Sequence, residues 1–311
     1  MKPILFASSR PLSRAENIKA VWDAYHGDKD FVQLSLMRDN GELSDSRYAV
    51  LVTDEFVQKT PGKCVMIFHG IPGGKSYGLD QPYPYHTAED GRLLSVVIST
   101  SQFLNNTIAR QSGVNVGNVF PLGMPRTDYY FKAQQHKSDK RKYLFVPTYR
   151  NIYEGSHPLE TTDFIKLDKL LSDSEEMLVK VHMLDINPEM EFRNIKVISN
   201  ELPTADYLID CDVLITDYSS IMFDAVILEK PVVLFAKDKD EYIKRRGMYF
   251  TYPESYSGRF CDTEEDLIRI LREAGEPTKA EQMIRMVTTQ MCDGHSTDRV
   301  VQLIKAMNEE G

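Results

Sequence analysis

The sequence contains few cysteines, no long apolar run and no excess of positive charge, and each absence narrows what the protein can be. Its four cysteines, Cys64, Cys211, Cys261 and Cys292, lie far apart, which favours free core thiols in a reducing compartment over disulfides or metal ligands. No apolar run reaches the roughly 18 residues of a membrane span. The N-terminus turns polar at Ser8, too early for a signal sequence. We therefore expect a cytoplasmic protein, and contact with the inner face of the membrane stays open.

The charge of the chain argues against a nucleic-acid partner. Thirty-seven basic residues stand against forty-six acidic ones, and the formal net charge is -9. Such a chain repels nucleic-acid backbones in bulk and has no basic footprint for them. Lys and Arg still cluster at 137–142 and 244–246, so an anionic small molecule or polymer remains open as a ligand.

Several catalytic signatures are also missing. No triplet of His, Cys and carboxylate has metal-ligand spacing, and no Gly-x-Ser-x-Gly elbow occurs. Residues 70–76 are similar to the phosphate loop of nucleoside triphosphatases, but only three residues separate Gly70 from Gly74. Two prolines and a glycine follow where that motif needs a helix. We therefore predict neither a metal site nor a triphosphate loop.

Short apolar segments alternate with longer amphipathic ones along the chain, which is typical of parallel sheets covered by helices. The predicted strands are 4–7, 48–52, 64–68, 94–98, 119–121, 143–146, 176–181, 195–198, 213–215 and 231–235. The predicted helices are 14–24, 103–111, 163–171, 204–208, 219–229, 264–273 and 296–307. The pattern predicts two α/β, Rossmann-like, doubly wound domains that face each other across a cleft.

The polar segment 132–142 separates the two sets of strands and marks the expected domain boundary. Residues 1–135 form the expected N-terminal domain. Residues 140–295 form the expected C-terminal domain, and the helix in 296–311 is expected to pack back toward the first domain.

Polar side chains directly follow five of the predicted strands. Ser219 takes the expected N-cap position where the strand 213–215 leads into a helix, and unpaired N–H groups with the helix dipole favour an anion there. A lone serine at this position often serves only as a cap. The other strand ends carry His69, Arg150, His182 and Lys237. Together these groups form a cationic, hydrogen-bonding surface that suits a diphosphate.

Two of these side chains are histidines with a choice of roles. His69 is followed by Gly70, which lets the backbone and a ligand approach closely, and a neutral imidazole can take a proton from a hydroxyl. His182 shares one face of its strand with Lys180. A purely structural role is the alternative for each histidine.

Seven sequence elements occur in an order that carries a family resemblance. They are His69-Gly70-Ile71-Pro72 with Lys75 and Gly78; Gly123-Met124-Pro125-Arg126-Thr127-Asp128; Pro147-Thr148-Tyr149-Arg150; Lys180-Val181-His182; Thr216-Asp217-Tyr218-Ser219-Ser220 with Phe223-Asp224 and Lys230-Pro231; Arg246-Gly247 with Tyr249; and Asp293-Gly294 with Ser296 and Arg299. They span most of the chain. The sequence resembles the CDP-glycerol glycerophosphotransferase family, which primes and polymerises teichoic acids and related capsule polymers.

The resemblance implies a glycosyltransferase-B type fold. Its C-terminal domain, residues 140–295, is then the nucleotide-binding domain, and its N-terminal domain, residues 1–135, is on the acceptor side. The resemblance also implies transfer of glycerol phosphate from CDP-glycerol to a hydroxyl, with release of CMP and without a metal or another cofactor. CDP-ribitol stays open as the donor. The acceptor is then a polyol phosphate or glycan, with or without a lipid anchor.

On this interpretation His69 is the general base, and His182 is the second catalytic histidine. The predicted donor-binding residues are Thr148, Arg150, Thr216, Asp217, Ser219, Ser220, Asp224 and Arg299, with no metal ligand among them. Asp224 is assigned to a ribose hydroxyl, with a helix-stabilising role as its alternative. Arg299 reaches the phosphates only if the last helix packs beside the cleft. Arg126 and Asp128 are expected to be structural.

Two other functions remain open at this point. A glycosyltransferase of the same architecture would move a sugar and release a nucleoside diphosphate instead of CMP. A nucleotide-binding module would bind without turnover, although binding alone does not require the two histidines. The sequence also leaves open the number of units that are added.

Overall fold

Two parallel β-sheets form the framework of the protein. The computed structural model describes residues 2–34, 41–81, 87–136, 138–148, 161–180, 192–199 and 202–309. The chain divides into two compact units, and each sheet lies in one of them. Unit 1 consists of residues 1–72, 77–132 and 287–311, and unit 2 consists of residues 73–76 and 133–286.

The sheet of unit 1 contains six described strands. They are β1 (Ile4–Ser8), β2 (Lys29–Gln33), β3 (Val50–Thr53), β4 (Lys63–Ile67), β5 (Val96–Ser99) and β6 (Val119–Pro121). Their order is β2-β1-β3-β4-β5-β6, and every pairing is parallel. All residues of β1, β3 and β5 are buried, because helices cover both faces of a parallel sheet.

The sheet of unit 2 also contains six described strands. They are β7 (Arg141–Val146), β8 (Glu175–Lys180), β9 (Ile195–Ile198), β10 (Val213–Thr216), β11 (Val232–Phe235) and β12 (Phe260–Cys261). From one edge to the other the order is β9-β8-β7-β10-β11-β12, again all parallel. Numbered within the unit, this is the dinucleotide-binding order 3-2-1-4-5-6, which reverses between β7 and β10.

Helices connect the strands in both units. Those described are α1 (Glu16–Ala24), α2 (Ala88–Arg92), α3 (Asn105–Ser112), α4 (Phe164–Leu170), α5 (Thr204–Asp210), α6 (Ile221–Ile227), α7 (Lys239–Arg246), α8 (Glu264–Glu273), α9 (Lys279–Thr288) and α10 (Ser296–Glu309). Short 3-10 helices lie at Leu12–Arg14, Gly41–Ser44, Gly78–Asp80, Gln102–Leu104, Val116–Asn118 and Pro125–Phe131. Within the described ranges, no helix combines the length and the apolar character needed to cross a membrane.

The last helix, α10, belongs to unit 1. The carboxylate oxygens of Asp128 accept the backbone N–H groups of Ser296 at 3.0 Å and Thr297 at 2.7 Å. The first N–H groups of a helix have no partner within the helix, and a negative charge suits its positive end. Asp128 therefore caps α10, and the buried side chains of Val300 and Ile304 join the core of unit 1.

The structure confirms the α/β fold class and every predicted strand within one to two residues at the described ends. It also confirms that all four cysteines are free and buried. The prediction omitted the edge strands β2 and β12 and the helices α2, α7 and α9. β2 has no fully buried residue and α7 buries only Tyr242, so neither has the apolar face that sequence periodicity detects.

Candidate active site

In unit 1, three adjacent strands end with polar residues at the same edge of the sheet. β1 ends at Ser8 and is followed by Ser9. Asp54 and Glu55 follow β3, and His69 lies just beyond β4. The strand order reverses between β1 and β3. This edge is therefore a topological switch point, where open α/β sheets bind their ligands.

The imidazole ring of His69 lies between two carboxylates. Its Nδ1 atom is 3.1 Å from Oδ2 of Asp54, and its Nε2 atom is 3.1 Å from Oε1 of Glu55. The Asp54 side chain is only 2% exposed, whereas 27% of the Glu55 side chain and 27% of the His69 side chain are exposed. The partner on Nδ1 is thus buried, and the partner on Nε2 is partly open to solvent.

Two serine hydroxyls from β1 and the loop after it hold the carboxylates in place. Oγ of Ser8 donates to Oδ2 of Asp54 at 3.1 Å, and Oγ of Ser9 donates to Oε1 of Glu55 at 2.5 Å. Both carboxylate oxygens that face the ring therefore accept a second hydrogen bond. The array is fixed from three strand ends.

The main chain before His69 is fixed separately by Asn17 on α1. Its buried side chain donates from Nδ2 to the carbonyl oxygen of Phe68 at 2.8 Å and accepts the backbone N–H of Arg126 at 2.9 Å. The guanidinium of Arg126 lies 3.8 Å from the carboxylate of Glu16 on the same helix α1. Asn17 and Arg126 thus have structural roles in orienting the end of β4.

The surroundings of His69 change its protonation. Burial alone would lower its pKa, but the hydrogen bonds with Asp54 and Glu55 and the charge of Asp54 outweigh burial and raise the pKa to about 9. The charge of Arg10 opposes this shift. Burial would raise the pKa of Glu55, yet the hydrogen bond and charge of His69 keep it below the usual value. At neutral pH the array is an imidazolium between two carboxylates.

This geometry does not fit a single metal ion. The ligand atoms of Asp54, Glu55 and His69 lie within 4.8 Å of one another. The two carboxylates, however, contact different nitrogens of the ring, and one cation can bind only one of those nitrogens. A bound metal also requires a neutral imidazole, whereas these carboxylates favour the protonated form.

In unit 2, the predicted donor residues Thr148, Thr216 and Asp217 lie together at the reversal between β7 and β10. Oδ1 of Asp217 accepts the N–H of Thr148 at 2.8 Å, the hydroxyl of Thr148 at 2.6 Å and the N–H of Tyr218 at 2.6 Å. The hydroxyl of Thr216 donates to the carbonyl of Val146 at 2.6 Å. These buried side chains join the ends of the two strands.

Ser219 and Ser220 follow in the next turn and are partly exposed. The helix α6 begins only at Ile221, so the cap position is Ser220, one residue after the predicted Ser219. The side chain of Ser220 makes no capping hydrogen bond. The Ser219 hydroxyl instead accepts the N–H of Ile221 at 3.4 Å, from one position outside. The helix ends at Ile227, and Glu229 adopts a left-handed conformation with φ 55 beyond it.

A tyrosine cluster, formed by Tyr218, Tyr242 and Tyr252, stabilises the backbone next to Ser219 and Ser220. The rings of Tyr218 and Tyr242 stack with centroids 3.8 Å apart, and the Tyr218 hydroxyl donates to Asp238 at 2.9 Å. The hydroxyl of Tyr252 donates to the carbonyl oxygen of Asp217 at 3.2 Å. Burial raises the pKa of Tyr218, with the charge of Asp238 adding to the shift, so its phenol remains a donor. The backbone of the turn is therefore held before any ligand binds.

Two other residues that were predicted to bind the CDP-activated donor are buried or already hydrogen-bonded within the protein. Asp224 lies in α6 with no exposed surface. Arg299 lies in unit 1, where its guanidinium donates to the carbonyl of Leu122 at 2.9 Å and to the two carboxylate oxygens of Asp293 at 2.8 and 3.0 Å. A phosphate at Arg299 would compete with Asp293. The donor roles of Asp224 and Arg299 stay predictions, and those of Arg150 and His182 fall outside the described residues.

Two further sequence predictions concern the loops after β11 and β4. Lys237 after β11 is paired with Glu264 at 2.6 Å and the carbonyl of Thr161 at 2.8 Å, so it adds less positive charge than expected. Gly74 lies in the segment 70–76, whose sequence is similar to a phosphate loop. Its carbonyl oxygen accepts the N–H of Tyr249 at 3.0 Å. A 3-10 helix of three residues, Gly78–Asp80, follows this segment.

Sequence reasoning missed Asp54, Glu55, Ser8 and Ser9. A signal for them exists, since the two acids directly follow an apolar strand and the two serines end another. The missing information is the strand order, which places β1, β3 and β4 side by side. Only that order brings side chains 46 residues apart, such as Ser8 and Asp54, into contact.

Curated relatives of this chain act in teichoic acid synthesis. The teichoic acid poly(ribitol-phosphate) polymerase of Bacillus spizizenii is 28% identical over 99% of this chain and 56% of its own length. The teichoic acid glycerol-phosphate primase of Bacillus subtilis is 29% identical over 70% of this chain and 61% of its own length. The chain thus covers less than two thirds of each of these relatives.

A solved structure and a family model complete the comparison. The wall teichoic acid polymerase TagF superposes with a TM-score of 0.78 at 20% identity, over 99% of this chain and 90% of that chain, and so shares the fold. The model of the family described as CDP-Glycerol:Poly(glycerophosphate) glycerophosphotransferase matches residues 10–306. Because that match spans nearly the whole chain, this chain belongs to the CDP-glycerol glycerophosphotransferase family.

Proposed function

We propose that this protein transfers a polyol phosphate from a CDP-activated donor to a hydroxyl acceptor and releases CMP. Glycerol 3-phosphate is the expected unit, and a teichoic acid or capsule-type polymer is the expected product. The observation that carries the proposal is the family match over residues 10–306, which contains His69 with its two carboxylates and the serine turn of unit 2. The relatives that use glycerol phosphate and ribitol phosphate support the substrate class.

The donor belongs to unit 2 in this proposal. Ser219 and Ser220 are partly exposed and sit on a turn that Asp217 and the tyrosine cluster hold in place. Their hydroxyls and the nearby N–H groups are neutral donors suited to phosphate oxygens. We assign Arg150 and His182, from neighbouring strand ends, to the same diphosphate. Thr148 and Asp217 then act by positioning the turn.

His69 takes the proton of the acceptor hydroxyl. The acceptor oxygen forms a bond to the phosphorus that carries the polyol, and the bond from that phosphorus to the bridging oxygen of CMP breaks. CMP leaves with the electron pair of that bond, and the hydroxyl proton goes to His69. Alignment and charge stabilisation supply most of the rate in such a transfer.

We also propose that the transfer needs no metal ion. The support is the array in unit 1, where each nitrogen of His69 already faces its own carboxylate. Assays in excess EDTA and in excess MgCl2 test this point. Equal rates are expected, whereas a rate that EDTA abolishes and Mg²⁺ restores would overturn metal independence without affecting the assignment of the donor.

The identity of the released nucleotide tests the reaction. The protein is incubated with CDP-glycerol, CDP-ribitol and UDP-sugars, with and without a polyol-phosphate acceptor. Release of CMP from a CDP-polyol is expected. Release of CDP or UDP would indicate sugar transfer instead, and binding without any release would indicate a nucleotide-binding module.

The form of the acceptor is a second arm of the same assay. A lipid-linked acceptor would place the reaction at the inner face of the membrane. The rate with a polyol-phosphate acceptor in lipid vesicles is compared with the rate for the same head group in water. A higher kcat/KM in vesicles supports membrane presentation, and equal values support a soluble acceptor.

A further inference from the structure

The two carboxylates at His69 differ in how they are held. Asp54 is buried, its Oδ2 accepts the Ser8 hydroxyl, and its Oδ1 has no hydrogen-bond partner among the described residues. Glu55 is partly exposed and receives the hydroxyl of Ser9. Nδ1 of His69 is therefore bound on the side of the protein interior, and Nε2 is bound by a side chain that can turn toward solvent.

We infer that Asp54 and Glu55 are positioning residues for His69: Asp54 fixes Nδ1, and Glu55 covers Nε2 until the acceptor hydroxyl replaces it. This inference rests on the proposed function and extends it to two residues. The arrangement follows the logic of a nucleophile, a histidine and a carboxylate, in which the carboxylate on Nδ1 orients the ring. The position of Glu55 Oε1, 3.1 Å from Nε2, is within the distance expected for a bound hydroxyl.

The proton balance explains why the Glu55 carboxylate must move away from Nε2 of His69. At rest the ring carries protons on both nitrogens, and the proton on Nε2, which the Glu55 carboxylate stabilises, must leave to solvent before His69 can act as a base. The acceptor hydroxyl then donates to Nε2. When its oxygen bonds to phosphorus and CMP departs, the hydroxyl proton remains on Nε2. Each turnover thus begins and ends with an imidazolium and releases one proton.

A titration of His69 without any substrate tests the array directly. The His69 ring signal is followed by NMR from about pH 5 to 10 and assigned by its loss in His69→Gln. Removing either carboxylate charge should lower the pKa of His69, by at least about 1 in Asp54→Asn and in Glu55→Gln. Glu89→Gln, an exposed acid of the same unit, is the matched control and should change nothing. Unchanged titration in both test variants would overturn the array.

The pH dependence of kcat/KM then separates the two roles. The acidic limb of the wild-type profile reflects loss of the neutral ring. Glu55→Gln should move that limb to lower pH, and on the acidic side its rate should exceed that of the wild type by about tenfold for each pH unit that the limb moves. Asp54→Asn should also move the limb to lower pH, but its rate on the plateau above the limb should fall by on the order of a hundredfold, because the ring loses its orientation. Arg10 is left unchanged so that its opposing charge is constant.

The outcomes distinguish this inference from the proposed function. A lowered His69 pKa together with an unshifted rate profile in Glu55→Gln would overturn the role of Glu55 and leave the function intact. Failure of the wild type to turn over any CDP-polyol would overturn the function, while the NMR titration would still report on the array. Glu55 is partly exposed, so its variant is expected to fold even if Asp54→Asn does not.

Discussion

Among the described residues, the strand ends at the switch point of unit 1 place an imidazole between two carboxylates, whereas those at the switch point of unit 2 place hydroxyls and backbone N–H groups around one buried carboxylate. In unit 1 the charges bind each other, with His69 between Asp54 and Glu55. In unit 2 one buried carboxylate, Asp217, gathers the donors of two strand ends and leaves Ser219 partly exposed. In the described residues, the same sheet edge thus carries a charged array in one unit and partly exposed hydroxyls in the other, depending on a few residues after the strands.

The largest expected effect comes from breaking the unit 1 site. His69→Gln should reduce kcat by about 10² to 10⁴-fold, because it removes the group that takes the acceptor proton. The dissociation constant of CDP-glycerol, measured by calorimetry, should stay within about twofold of the wild type. An equal loss of donor binding would place His69 in the donor site and remove the contrast between the units.

The next effect concerns the fold of the unit 2 site. Asp217→Ala should lower the free energy of unfolding by about 3 kcal/mol, because it leaves the N–H and hydroxyl of Thr148 and the N–H of Tyr218 without their acceptor. Urea unfolding measures the change. Asp240→Ala is the control, since the Asp240 side chain is 98% exposed, and its change should be below about 0.5 kcal/mol. Equal values for both variants would contradict the structural role of Asp217.

A smaller effect is expected from the exposed hydroxyls of the same turn. The double variant Ser219→Ala with Ser220→Ala should weaken CDP-glycerol binding by about tenfold, because two neutral donors to the phosphates are lost. Its kcat at saturating donor should change much less. Ser174→Ala, an exposed serine elsewhere in unit 2, should have wild-type binding. Wild-type donor affinity in the double variant would remove Ser219 and Ser220 from the donor site.

The smallest effect is a difference in how the two units respond to pH. The folded-state pKa of His69 is raised from 6.5 to about 9, so its stabilising contribution is complete below pH 6.5 and is lost as the pH rises through 9. Burial would raise the pKa of Glu175 in unit 2, but hydrogen bonds from Arg272, Ser172 and Tyr143 lower it from 4.5 to about 2. Its contribution is therefore present above pH 4.5 and is lost as the pH falls through 2.

Urea unfolding across pH measures these two contributions. The stability difference between the wild type and His69→Gln should shrink from neutral to alkaline pH. The difference between the wild type and Glu175→Gln should shrink only at acidic pH. Two differences with the same pH dependence would show that the raised pKa of His69 or the lowered pKa of Glu175 is wrong.

The sequence alone was sufficient to predict the buried strands, but it did not predict which side chains from neighbouring strands contact each other. β1, β3 and β10 are continuous, mostly apolar runs because both faces of these strands are buried, and such runs can be recognised in a sequence. Polar residues after single strands were also readable, as for His69 and Ser219. The partners of His69 were not, because Asp54 and Glu55 reach it only through the pairing of β3 with β4. The start of α6 was predicted too early, because two consecutive serines precede the helix and the cap position falls on the second.

The cap that Asp128 places on α10 has a consequence for the architecture of the chain. The polypeptide leaves unit 1 after residue 132 and returns to it at residue 287, and the returning helix completes the hydrophobic interior there with Val300 and Ile304. A fragment that stops at 132 would lack one helix that covers its hydrophobic core. The Asp128 carboxylate would then lack the helix N-terminus that it binds. The first unit is thus assembled from segments that precede and follow the second unit in the sequence, and it can reach its final form during synthesis only after the second unit has been made.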